Sequence, residues 1–305
     1  MPVAVPPPSS SVVGAYGLAL DSRAFPAERL NAVGSAAERW TVNRRNCEID
    51  SAGDLEASRP ALPDTLPVLG ESEIDAHSAR VIVAGTRLQI DRDARSADLF
   101  AGADVSAERL VHPCLAPLAI AAAHWQRRVP LHASAVIIDG RAWALLAERG
   151  DGKTTTVAAL ARAGHGVLTD DLLVVDADLQ AHAGPRCVDL RRASADQFPE
   201  AVRVDDFPGR ERFRLTPGPV PASVPLAGFV RLLWSEHRQG LTPIRTVDRL
   251  PLIGAAISVS GPLANPGLVL ELASLPVYAL ERPHDLTTLD ASVEAIASLA
   301  GAQAA

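Results

Sequence analysis

The chain has 305 residues, 48% of them hydrophobic, enough for one large domain or two small ones with a proper core. A formal net charge of −7 argues against a general nucleic-acid binder. The three cysteines, Cys47, Cys114 and Cys187, are too widely spaced for a zinc motif, and their odd number reads as free thiols in a reducing cytoplasm.

In chain order, residues 1–11 are rich in proline and serine, which predicts a disordered tail without the features of a signal peptide. Val12 to Leu20 predicts a first strand, and Phe25 to Val33 a short helix or turn. From Ala36 to Val105, short apolar runs divided by Pro, Gly and Asp predict further strands. The clearest is a hairpin of Val81 to Ala84 and Arg87 to Ile90 around Gly85-Thr86. These runs make a small β-rich N-terminal lobe over residues 12–108, with Asp50, Asp54 and Glu56 as loop charges. His112 to Arg128 predicts a helix linking it to a second domain, residues 109–305. The longest apolar run, Cys114 to Trp125, is broken by Pro117 and His124 and is too short to span a bilayer.

Val129 to Arg141 predicts two strands joined by an Asp139-Gly140 turn, with His132 on the first. A lone histidine among apolar residues is either a core residue or a catalytic one. Trp143 to Leu146 then predicts a buried strand, which runs into Ala147-Glu148-Arg149-Gly150-Asp151-Gly152-Lys153-Thr154. A helix-forming run reaches Ala163, and a second apolar stretch ends in Thr169-Asp170-Asp171. Strand, glycine turn, helix and acid-tipped strand suit a nucleoside triphosphate with magnesium.

The physical reasons are local. N–H groups at a helix start lack intrahelical partners, and the helix dipole adds positive potential there. Gly150 and Gly152, on either side of Asp151, let backbone approach an anion. Lys153 would place a charge on the outer phosphates, Thr154 would set its hydroxyl on the metal, and Thr155 continues the cradle. The turn departs from the Walker A pattern only at Ala147. Alanine there costs roughly 1–2 kcal/mol if the position needs positive φ and nothing otherwise. Adjacent carboxylates at Asp170 and Asp171 repel each other, but make sense beside a cation or as a base. The alternative is an ordinary strand–turn–helix connection with solvated acids at its end.

Farther on, Leu172 to Val175 predicts a strand. Cys187 to Arg191 predicts another, whose Asp189 either faces a metal or pairs with Arg191 or Arg192. Phe198 to Pro217 reads as a charged loop whose Arg203, Arg210, Arg212 and Arg214 either close over phosphates or stay solvated. Leu226 to Trp234 and Pro276 to Leu280 predict strands; Leu252 to Val259 and Leu286 to Leu299 predict helices.

The order His132, glycine turn, Gly164-His165, Thr169-Asp170-Asp171 resembles HPr kinase/phosphorylase and its shorter relatives. Those relatives include serine kinases encoded beside peptide-modification genes, among them lasso-peptide kinases. Tyr16 to Ser22 and Pro276 to Leu280 also resemble them, though the specific part is Pro130 to Val175. The resemblance implies an α/β fold of the PEP carboxykinase kind: a P-loop domain with a mixed sheet, beside the β-rich lobe. It implies ATP and Mg²⁺. Lys153 would hold the β- and γ-phosphates and Thr154 the metal. Asp171 would be the general base, and Asp170 would support it or bind metal. His132 matches an active-site histidine, and Asp189 loosely matches a metal-binding glutamate. Asp170 is expected to raise the pKa of Asp171 above the usual ~3.9, and Mg²⁺ to lower it.

Ala147 and Arg149 replace a glycine and a serine of the family turn, and its Glu-Ile-Arg-Gly signature is missing, so phosphorolysis and HPr as substrate are not expected. The implied activity is transfer of the γ-phosphate to a serine or threonine hydroxyl of a peptide or small protein, such as a precursor peptide. The alternatives are a kinase of free serine or a similar small molecule, and a nucleotide-binding regulator without transfer. The family's frequent multimers make a homo-oligomer an expectation too.

Overall fold

Period-two alternation builds the first sheet: along Ser78–Val83 and Thr86–Asp91 inward residues are buried and outward ones mostly exposed. The computed structural model describes residues 12–46, 70–83, 86–207, 210–259 and 264–301. The N-terminal tail, Cys47, Asp50, Asp54, Glu56 and the turn at residues 84–85 lie outside these. The first sheet comprises β1 (Val13–Ala15), β2 (Leu18–Ser22), β3 (Asn31–Ala32), β4 (Glu38–Asn46), β5 (Gly70–Ile74), β6 (Ser78–Val83), β7 (Thr86–Asp91) and β8 (Ser96–Ala101), in the order β3-β1-β2-β4-β8-β7-β6-β5. The single strand expected from Val12 to Leu20 is therefore a hairpin. It turns at Tyr16 (φ 56°) and Gly17 (φ 76°), two consecutive left-handed residues that match the twist of the strands.

Two helices follow, α1 (Ala107–Val111) and α2 (Leu115–Trp125). His112 is the C-cap of α1, so the helix expected from His112 starts three residues later. Leu115, Leu118 and Ile120 of α2 are buried in one cluster with Val81, Leu88 and Leu99 of the first sheet, at about 1.5–3 kcal/mol for each large side chain. Trp125 stacks on Trp40 with centroids 6.1 Å apart. Leu172 and Val174 join the same cluster, so the division drawn at 108/109 falls inside a continuous core.

The second half holds β9 (Val129–Leu131), β10 (Ser134–Ile138), β11 (Arg141–Leu146), β12 (Gly166–Thr169), β13 (Leu173–Val175), β14 (Gln180–His182), β15 (Val188–Leu190), β16 (Val202–Phe207), β17 (Arg210–Leu215), β18 (Ser223–Trp234), β19 (Gly240–Pro243) and β20 (Val277–Arg282). The main sheet runs β12-β10-β11-β18-β20-β19, and the first residues of β18 carry a branch β14-β13-β9. β15, β17 and β16 form a separate small sheet, so the expected arginine-rich loop is a hairpin. Its β17 strand pairs with both β15 and β16, which orders the segment. Helices α3 (Lys153–Arg162) and α7 (Leu289–Ala297) pack on one face of the main sheet through Val157, Leu160, Val293 and Ile296. Helices α5 (Thr246–Ala255) and α6 (Pro266–Ser274) cover the other through Ile253, Leu268 and Leu272; α4 (Arg192–Ala195) is a single turn. The helix expected at Leu252 begins at Thr246 instead, and the sequence reading missed α6. The chain is thus mixed α/β, with sheets that combine parallel and antiparallel pairs.

This topology gathers one edge. β11, β18 and β20 are parallel neighbours, and β10 lies antiparallel to both β11 and β12. The carboxyl ends of β11, β12, β18 and β20 therefore open on the same side, where ligands of open α/β sheets usually sit.

Candidate active site

The expected turn between β11 and α3 is present. Gly150 (φ 96°) and Gly152 (φ 76°) occupy left-handed conformations that a side chain would resist. Ala147 is not among the positive-φ residues, so alanine is unstrained there, and it packs against the core beneath α3. Gly152 is the N-cap of α3 and no side chain caps that end. The N–H groups of the first turn are therefore left for another acceptor.

Lys153 is the first residue of α3 and is buried. Its Nζ donates to His132 Nε2 at 3.0 Å, and His132 Nδ1 donates to the Asp171 carbonyl at 3.0 Å. A protonated lysine can only donate, which fixes the imidazole as the neutral Nδ1–H tautomer. Burial first, and then the charge of Lys153, push the pKa of His132 below its ordinary value. Burial also lowers that of Lys153, against the pull of Asp171 and Asp170. His132 is not on a strand, as its spacing suggested, but in the break between β9 and β10. The break turns its ring toward Lys153.

The acid pair stands beyond the end of β12. Asp170 is buried and accepts a short hydrogen bond from Ser134 Oγ. Asp171 has φ 67°, which costs a non-glycine residue roughly 1–2 kcal/mol. The strained turn is held by Thr169 Oγ1 donating to the Leu172 carbonyl at 2.7 Å and by the His132 bond to Asp171. Tyr16, from the tip of the N-terminal hairpin, is hydrogen-bonded to Thr169. Asp171 Oδ2 lies 3.3 Å from His112 Nε2, with 27% of its side chain exposed.

These contacts separate the two acids in the opposite sense to the expectation. Burial, and then the charge of Asp171, push the pKa of Asp170 up to about 7. Burial would raise Asp171 as well. The hydrogen bond and charge of His112, with the charge of Lys153, outweigh it and hold Asp171 well below the ordinary carboxylate range. Burial and charge thus push the two neighbouring carboxyls in opposite directions.

Asp189 is not available as a metal ligand. Arg214 Nε meets its Oδ1 at 2.6 Å, Arg214 Nη2 its Oδ2 at 2.7 Å, and Arg212 Nη1 the same Oδ2 at 3.3 Å. Its partners are thus not the expected Arg191 or Arg192. Arg214 also binds Glu108 at 2.9 Å, and Glu108 binds Arg29 at 3.0 Å, so this network ties the small sheet to the N-terminal lobe. Thr154 is partly exposed beside the turn, while the Thr155 hydroxyl faces Ser194 Oγ at 2.9 Å, away from any ligand role. Among the described residues no three His, Cys, Asp or Glu side chains converge as a metal site. Thr154 and Asp170, the other two expected metal ligands, would suit Mg²⁺ only if it were held chiefly through phosphates.

The sequence reading missed His112, Ser134, Tyr16, Trp234 and Arg282. Arg282 donates to the Asp151 carbonyl, and its guanidinium lies 4.1 Å from the centroid of the Trp234 ring. Only the adjoining strand ends could have pointed to them.

The fold and site together define a mixed α/β protein with a glycine turn, a buried lysine and an acid pair on one sheet edge. No protein-family model and no curated protein matches the sequence. Among solved structures, the HPr(Ser) kinase/phosphatase from Coxiella burnetii is similar at a TM-score of 0.32 and 12% identity, over 55% of this chain and 88% of that one. No helix among the described residues is long and apolar enough to cross a membrane.

Proposed function

We propose that the chain is an ATP-dependent kinase that phosphorylates a serine or threonine hydroxyl of a peptide or small protein. The supporting observation is the placement of Lys153, at an uncapped helix start after the glycine turn and electrostatically coupled to both Asp170 and Asp171. The resemblance of Pro130 to Val175 to serine kinases suggests the acceptor class. Uncapped N–H groups and buried cationic side chains fit a polyphosphate.

When bound, ATP supplies the phosphoryl group and Mg²⁺ offsets its charge. The turn and Lys153 would orient the phosphates, and Thr154 with Asp170 would hold the metal. His132 steadies Lys153 from behind. Asp171, ionised and partly exposed, orients the acceptor hydroxyl and receives its proton late. A weak base suffices because phosphoryl transfer demands position and charge neutralisation more than strong proton abstraction. Calorimetry with ATP–Mg²⁺, followed by transfer of labelled phosphate to acceptor peptides, tests this reading. Absence of nucleotide binding would end it, and binding without transfer to peptide or free serine would leave a regulator.

A further inference from the structure

Arg282 is the last residue of β20 and only 6% exposed. Among the described residues it forms no ion pair, and its Nε has no hydrogen-bond partner. Its contacts are the Asp151 carbonyl, the Trp234 ring and Gly152, where an added Cβ would lie 2.9 Å from its Nη2. Register puts it there: Arg282 pairs with Trp234 at the carboxyl ends of β20 and β18, beside the turn after β11.

A buried guanidinium is costly, and more so beside the positive end of a helix and a second buried cation, Lys153; the charge of Asp151 offsets this only in part, and burial still lowers the Arg282 pKa. A bound polyanion would relieve the remaining cost. The bond to Asp151 also has a geometric consequence. A carbonyl and the next N–H belong to one planar trans peptide and point opposite ways. Holding the Asp151 carbonyl toward Arg282 turns the Gly152 N–H away from it.

We infer that Arg282 is a positioning residue for polyphosphate: through the Asp151 carbonyl it aims the Gly152 N–H at the ligand, and its buried charge favours an anion there. This rests on the proposed nucleotide site and deepens it. Trp234, packed on Arg282, supports the guanidinium from the other side.

The test uses the full-length protein and inorganic tripolyphosphate. In wild type, titration should shift the Gly152 amide resonance in ¹⁵N–¹H spectra. Arg282→Gln should bind about tenfold or more weakly, as for loss of a charged hydrogen bond, with that shift much reduced. An unmoved Gly152 amide in a wild type that binds would overturn the inference, whether or not the variant folds. So would a folded Arg282→Gln that binds within about twofold of wild type. If wild type binds no better than Lys153→Ala, the nucleotide site itself is wrong and the inference fails with it.

Discussion

Asp171 and His112 meet at 3.3 Å, across 59 positions of sequence, at the point where the N-terminal core joins the acid-tipped strand. The contact holds the carboxyl of the partly exposed acid below the ordinary range, while burial raises that of Asp170, its neighbour.

Asp171→Asn should lower phosphoryl transfer by roughly 100-fold or more while ATP affinity stays nearly unchanged. Single-turnover transfer beside calorimetry checks this. Normal transfer by the variant would remove Asp171 from the role of base.

Lys153→Met should weaken ATP binding by about 10–100-fold. It should also raise the pKa of His132, because the ammonium 3.0 Å from Nε2 is gone, though burial, the larger cause, keeps it below the ordinary value. Imidazole titration by NMR checks the second part without any assay of activity.

Asp170 sets a pH dependence of stability. Its pKa is about 7 folded and near 3.8 unfolded, so between those values the folded state binds the extra proton. Stability should therefore fall as pH rises from about 4 to 7, then level off. Asp170→Asn should flatten that slope in metal-free protein and raise the Tm at pH 8 relative to wild type. Scanning calorimetry across pH gives the answer.

Asp189→Asn should destabilise the fold by about 1.5–3 kcal/mol, since it removes one of the two carboxylates paired with Arg214, whose side chain is 2% exposed, and leaves Glu108 as the other. The Mg²⁺ dependence of the remaining folded enzyme should not change. Urea denaturation and metal titration separate this structural role from the metal role suggested by sequence.

What the amino-acid order determined alone is what adjacent residues decide. The Asp139-Gly140 turn follows from two residues that accept positive φ (50° and 73°), and the glycine turn, helix start and acid-tipped strand from consecutive residues between Trp143 and Asp171. The first hairpin was misread because Tyr16 hides its left-handed turn among apolar neighbours. The arginine-rich segment was misread because charged residues alternate on its strands, and only pairing with β15 orders them. The partners of each site residue were set by tertiary structure. Ser134 reaches Asp170 across two strands, Arg214 takes Asp189, and Arg282 reaches the turn from 131 residues away. Such contacts depend on strand order and register, which bring distant residues to one sheet edge and which short-range spacing does not encode.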